Sequence, residues 1–380
     1  MRDTIDQLLR YWAPEHLPFL TKVPAWAIYA AAMLAVCGVM LGVAAGFAGI
    51  GTFLERRIAG RMQARIGPNR VGPFGLLQFL ADGVKLLFKE DIIPAESDSI
   101  LFRLAPYVVF FGSFPIFAAL PFTQGLPVYD TSTQTWGPAA VGTAAANLNV
   151  GIFYVISLSS TVVIGILMAG WASGNKWALF GAMRSAAQIV SYEIPVGLAI
   201  MTVIMMTGSM NLQEIVGHQS GGFWNWNAFR LPYVLFTFPA MIVYFVGGMA
   251  EANRTPFDIP EAESELVAGY HVEYSGMRFG FFFMAEYANM LAVGIIASTL
   301  FLGGWQSPLG RPILPGWGAY LEGFLWYIGK SFFWVFVMMW LRWTLPRYRV
   351  DQLMHLCWKV LIPVALACFL GVGILAGLKF

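Results

Sequence analysis

Apolar runs long enough to cross a bilayer recur eight times along the chain. The first, residues 23–54, has no charged side chain in 32 positions, and a helix needs only about 20 to span the hydrocarbon core. The others fall at about 104–122, 150–171, 185–207, 231–250, 279–302, 319–341 and 359–378. This pattern predicts an all-α integral membrane protein, a single polytopic domain over 1–380 with eight transmembrane helices. The seventh run is interrupted by Glu322 and Lys330, two turns apart and placed to pair with each other. Residues 74–90 follow a different pattern. Gln78, Asp82, Lys85 and Lys89 form one polar stripe on a stretch otherwise rich in Leu, Phe and Val. Such a segment is too charged to span and suits an amphipathic helix lying in the membrane interface.

Composition agrees with the pattern. The chain is 58% hydrophobic and 12% charged, against about 25% charged in soluble domains. A formal net charge of +2 gives no reason to expect a nucleic-acid partner. The lipid bilayer is the expected surroundings. The three cysteines are scattered without a C-x-x-C, so neither an iron–sulfur nor a zinc ligand set is expected. The four histidines all lie outside the apolar runs, so no pair is placed to clamp a haem within the bilayer. With no metal and no redox group of its own, the chain could take part in redox chemistry only if the electron carrier sat on another chain or were the substrate.

Of the 23 lysines and arginines, 16 lie in the odd-numbered connections and adjoining helix ends. The preference of basic residues for the inner side predicts that these connections face the cytoplasm and that both termini lie outside. Residues 1–23, with Arg2, Asp3, Asp6, Arg10, Glu15 and Lys22, are too polar for a signal-peptide core.

Two polar blocks interrupt this apolar chain. The first is 250–273, AEANRTPFDIPEAESELVAGYHVE, with six acids: Glu251, Asp258, Glu261, Glu263, Glu265 and Glu273. Pro256 and Pro260 exclude one continuous helix, so the fifth span should end near Arg254 and a new helix should begin at Pro260. Acids in a first turn complement the helix dipole by about 0.3–1 kcal/mol each, which accounts for one or two of the six. It leaves Glu251, which precedes the turn. Crowded carboxylates raise one another's proton affinity, so a proton-handling role is the stronger reading. Two further acids lie inside spans. Glu193 sits in SYEIPVG, where Pro195 deprives the Ser191 carbonyl of its helical donor, and Glu286 sits in FFFMAEYANM. Ionisable groups within a membrane segment are functional candidates. Glu193 and Glu286 would extend the acids one to two turns inward.

The second block is 55–70, ERRIAGRMQARIGPNR, with Arg56, Arg57, Arg61, Arg65 and Arg70 beneath the first span. Basic residues there meet anionic lipid, but GPNRVGP at 67–73 prescribes a defined turn that lipid attraction does not require. Glu55 beside Arg56 and Arg57 suggests an ion pair at the helix end.

Three stretches are long and specific: GRMQARIGPNRVGPFGLLQFLADGVKLLFKEDIIP (60–94), GAMRSAAQIVSYEIP (181–195) and EANRTPFDIPEAESELVAGYHVEY (251–274). With FFFMAEYANM and RWTLPRYRVDQLMHLCWK, they closely resemble the family of the membrane-embedded H subunit (also called subunit 1) of respiratory complex I, the bacterial-type proton-translocating NADH:quinone oxidoreductase. The resemblance covers about 24–378. It implies eight transmembrane helices with a tilted first helix. It also implies a location in the bacterial inner membrane, other complex I subunits as partners, and quinone as substrate, with FMN and iron–sulfur clusters on those partners. Arg56, Arg57, Arg65, Phe74, Leu77 and Leu80 would match the quinone chamber and its mouth. Glu193, Glu251, Glu261, Glu263, Glu265 and Glu286 would match an acidic proton path. In the third span, where some members carry a further carboxylate, residues 150–171 have only Ser157, Ser159, Ser160 and Thr161, so hydroxyls and water would serve there. The alternatives are the related subunit of a membrane-bound hydrogenase or other donor-linked complex, and a stand-alone proton-coupled channel or transporter.

Overall fold

A helical segment that is apolar on every side has to be enclosed by protein or lipid, and the second half of Gly276–Phe301 is one. From Tyr287 to Phe301 nearly every residue is buried, and this sixth helix forms the axis of the main core. The computed structural model describes residues 24–122, 128–130, 135–137, 147–260, 263–310, 313–314 and 317–378. The polar segment 1–23, and with it Glu15 and Lys22, lies outside them, as does Glu261. Among the described residues, eight helices are long and apolar enough to cross a membrane.

The first helix is the longest, Ala25–Met62. It is followed by a short helical turn at Pro73–Gly75 and the amphipathic helix Gln78–Phe88. The second span is split at Phe114-Pro115 into Ser99–Ser113 and Ile116–Ala119. Asp98 caps its start, accepting from the backbone of Ile100 and Leu101. The third and fourth helices are Gly151–Ala172 and Lys176–Thr207. The fifth is Val234–Glu251, the seventh Trp317–Thr344. The eighth runs Val350–Gly377, with a wider turn at Cys357–Leu361 immediately before Pro363. Such a bulge accommodates a residue that lacks a backbone donor. In the connection after the second span, Val128–Asp130 pairs antiparallel with Thr135–Gly137, Tyr129 opposite Trp136.

Small residues set the helix spacing. A Cβ on Gly165 would come 2.8 Å from Val109 N, and one on Gly112 3.0 Å from Val162 N, so the second and third spans pack backbone to backbone. Likewise a Cβ on Gly181 would sit 2.7 Å from Gly269 Cα. That close approach seats the turn Gly269–His271 against the fourth helix.

The fourth helix continues through Pro195. The Ser191 carbonyl that the proline orphans accepts from Cys357 Sγ on the eighth span, at 3.1 Å. The acidic block folds differently from expectation. The fifth helix stops at Glu251, a few residues before Arg254; Pro260 lies in a turn, and the described part of the next helix is one turn, Glu263–Leu266. Between them the backbone is held by tertiary bonds: Gln188 Nε2 donates to the carbonyls of Ala250 and Phe257, each at 2.8 Å. Glu322 and Lys330 do not pair with each other. Glu322 accepts from the backbone of Ile313 and Leu314 and from Trp326 Nε1. Lys330 Nζ donates to the carbonyls of Leu302, Gly304 and Gln306 at 2.7–2.9 Å. Eight residues along a helix is a rise of about 12 Å, too far for one ion pair.

Candidate functional site

The intramembrane acids lie on the inward sides of three neighbouring helices. Glu193 on the fourth and Glu251 at the end of the fifth line one cavity, with Ser159, Tyr244 and Asn289 among its walls. Ser160 Oγ donates to Glu193 Oε1 at 2.7 Å. Glu251 and Asn289 also line a second cavity that includes Glu286, Asn253 and Tyr270. Glu193, Glu251 and Glu286 thus follow one another around two cavities with a shared wall.

Glu286 continues the series through a buried cation. Its Oε1 lies 3.0 Å from Arg254 Nε, and Arg254 Nη1 lies 3.0 Å from Glu55 Oε2. The Arg254 guanidinium is only 2% exposed and sits 4.3 Å above the Tyr287 ring. Burial alone would pull it down, but Glu286 and Glu55 outweigh that and hold it well above its ordinary range. It is therefore a fixed positive charge. Tyr287 donates to Glu55 Oε2 at 2.5 Å, and Arg342 from the seventh helix closes on Glu55 Oε1. Glu55 thus meets Arg254, Arg342 and Tyr287, not its sequence neighbours Arg56 and Arg57.

Those neighbours hold the amphipathic helix instead. Arg56 Nη1 pairs with Asp82 at 2.7 Å, and Gln78 donates to the other oxygen of Asp82 at 3.1 Å. Arg57 Nη1 donates to the Phe74 carbonyl at 3.2 Å. Arg65 is exposed, its Nε donating to Gln63 at 2.6 Å. The helix rests its Phe79 ring on Gly49 of the first span, where a Cβ would meet Phe79 Cδ2 at 2.6 Å. Phe74, Leu77 and Leu80 are left exposed. Phe74 also has a φ of 55°, a left-handed conformation that costs a bulky residue about 1–3 kcal/mol.

The remaining predicted acids lie elsewhere. Glu265 is exposed and paired with Arg184 at 2.7 Å. It borders a surface pocket with Arg347 and Arg349, separate from the two cavities. Glu263 is the first described residue of the one-turn helix. Asp258 pairs with Arg347 at 3.1 Å. Among the described residues there is no group of three or more His, Cys, Asp or Glu that could hold a metal.

The sequence reading missed Glu55, Arg342 and Tyr287 as parts of the site. Glu55 and Arg254 are 199 positions apart and Glu55 and Arg342 287, so no spacing signals them. The one available hint is that Glu55 is the first charge after 32 uncharged positions.

The chain as a whole is similar to known proteins. The sequence profile of the NADH dehydrogenase family matches residues 33–373. A protein of Anaeromyxobacter dehalogenans, named as the H subunit of an NADH-quinone oxidoreductase, is 46% identical over 359 residues, covering 91% of this chain and 82% of its own length. The chain belongs to the family of NADH-quinone oxidoreductase H subunits. Proteins of the same name from Chlorobium luteolum (52% identical, 84% of this chain and 82% of theirs) and Bacteroides fragilis (44%, 95% and 93%) are similar to it over nearly the same extent. As that name states, members of the family are parts of a multi-subunit oxidoreductase.

Proposed function

We propose that this chain is the non-redox membrane subunit through which a proton-translocating NADH:quinone oxidoreductase couples quinone reduction to proton movement. The observation that carries the reading is the succession Glu193–Glu251–Glu286–Arg254–Glu55, which runs from the middle of the helix bundle to the foot of the first helix. At that foot, Arg56 and Arg57 hold the amphipathic helix.

Reduction of a quinone takes up two electrons and two protons. The electrons come from partner subunits carrying FMN and iron–sulfur clusters, as the likeness to the complex I subunit implies. The quinone's apolar chain lies along Phe74, Leu77 and Leu80, and Arg56, Arg57 and Arg65 line the chamber and its mouth. When protons leave the chamber side for the reduced quinone, negative charge remains beside Arg254 and Arg342. A fixed cation between two acids transmits that change: Glu55 and Glu286 compete for Arg254, so a gain of charge at one loosens the other. Glu286 then exchanges protons with Glu251 across their shared cavity, and Glu251 with Glu193. Glu261, Glu263 and Glu265 supply protons to this line. The chain sits in the bacterial inner membrane with its odd-numbered connections in the cytoplasm.

Purification tests the assignment. The chain is expected to co-purify with an iron–sulfur peripheral arm and to show no transport alone; proton transport by the isolated chain would favour a stand-alone transporter. A peripheral arm that oxidises hydrogen rather than NADH would favour the hydrogenase-linked relative.

A further inference from the structure

Of the four serine and threonine hydroxyls at 157–161, three bond only back to their own helix in the described contacts: Ser157 to Phe153 O, Ser159 to Ile156 O and Thr161 to Ser157 O. Such back-bonding is ordinary for hydroxyls in membrane helices. Ser160 differs. Its Oγ lies 3.0 Å from Ile156 O and 2.7 Å from Glu193 Oε1 on the neighbouring helix. A hydroxyl carries one proton and two lone pairs, so it cannot donate to both acceptors at once. The length of the Glu193 contact is that of a hydroxyl bonded to a carboxylate.

We propose that Ser160 is a two-position hydroxyl that keeps Glu193 hydrogen-bonded in both of its protonation states. When Glu193 is ionised, Ser160 donates to it. When Glu193 is protonated, the carboxyl donates to Ser160 Oγ, and the serine turns its own proton to Ile156 O. No O–H bond of the serine is broken; the translocated proton is taken up and released by the Glu193 carboxyl, and Ser160 only redirects its own. This makes Ser160 a positioning residue, and it rests on the reading of Glu193 as a proton carrier.

The setting requires such a partner. A carboxylate in a membrane segment is costly unless donors meet it. Across the cavity the titratable groups are Glu251 and Tyr244 of the fifth helix, with Asn289 of the sixth and Ser159 of the third completing its polar lining. Glu251 repels an ionised Glu193, so a donor that follows its charge stabilises the ionised form without trapping it. The backbone under Glu193 is fixed as well, because the carbonyl freed by Pro195 is held by Cys357. The adjustment therefore falls to the serine.

The test uses the assembled complex in proteoliposomes with Ser160→Ala, Ser160→Thr, Ser157→Ala and, as reference, Glu193→Gln. Ser160→Ala is expected to lower quinone-linked turnover by about ten- to a hundredfold, the loss of one charge-assisted bond at the rate-determining stage, with electron transfer to an artificial acceptor unchanged. In the redox-difference infrared spectrum, it should shift the carboxyl C=O band that Glu193→Gln removes. Ser160→Thr should restore both, and Ser157→Ala should change neither. Wild-type turnover and an unshifted band in Ser160→Ala, with Glu193→Gln inactive, would overturn the proposal. So would a Ser160→Thr variant as impaired as Ala. A fully active Glu193→Gln would instead overturn the proton-carrying reading, and this proposal with it.

Discussion

Arg254 joins the intramembrane acids to the foot of the first helix, and replacing it is the most informative perturbation of the site. Its contacts to Glu55 and Glu286 are both 3.0 Å long. At an effective dielectric of about 20, each such contact carries about 5 kcal/mol of attraction, set against the cost of taking three charges out of water. The net quantity is the cost of breaking a buried pair by removing one partner, about 3–5 kcal/mol. At 2% exposure for the whole residue, solvent screening does not reduce it. Arg254→Met should therefore lower the yield of assembled complex and the temperature at which it loses quinone reductase activity. Arg254→Lys keeps the charge but not the planar fork that reaches two carboxylates, so it should fall between. Arg254→Met/Glu286→Gln should recover part of the loss, because it removes one of the acids left facing the gap. The assays are native-gel yield and thermal inactivation of the purified complex. Wild-type yield and heat resistance in Arg254→Met would refute the reasoning, as would strictly additive losses in the double variant.

Other outcomes follow from neighbouring contacts. Arg65→Ala should reduce quinone-dependent activity more than activity with an artificial acceptor; equal loss of both would point to an assembly defect. Leu80→Trp adds bulk to the exposed apolar face of the amphipathic helix, and should slow turnover with long-chain quinones more than with short-chain ones. Equal slowing would mean that this face does not meet the quinone's apolar chain. Lys330→Met leaves the carbonyls of Leu302, Gly304 and Gln306 without their donor, at about 1.5–3 kcal/mol for a charged hydrogen bond. It should lower heat resistance while leaving the turnover of intact complex unchanged, and reduced turnover would give Lys330 a part in the mechanism.

What the sequence made visible and what it hid have physical reasons. The eight helices could be read because hydropathy is a local property and each apolar run exceeds a membrane span. Glu193, Glu251 and Glu286 stood out because each is an acid at or within an apolar helix, and the fold brings them around two adjoining cavities. Glu55 was paired in expectation with Arg56 and Arg57, yet residues one and two apart on a helix do not face each other. Its real partners come from distant helices and are set only by packing. The start expected at Pro260 followed a sound local preference, but Pro260 lies in a turn, and Gln188 and Arg347 hold 250–258 from outside that segment. Cys357 was passed over as a scattered thiol, although it donates to the carbonyl that Pro195 was expected to free.

We propose that the carboxylates bordering the shared cavity carry protons linked to quinone reduction. It is tested most directly by measuring proton translocation per NADH oxidised, with the quinone reductase rate, in proteoliposomes holding complex with Glu251→Gln. Glutamine keeps the size and hydrogen bonding of the side chain but cannot ionise. The variant is expected to assemble normally and to transfer electrons to an artificial acceptor at the wild-type rate, but to lose most quinone reduction and the translocation that depends on it. Wild-type quinone reduction with wild-type translocation in that variant would contradict the proposal.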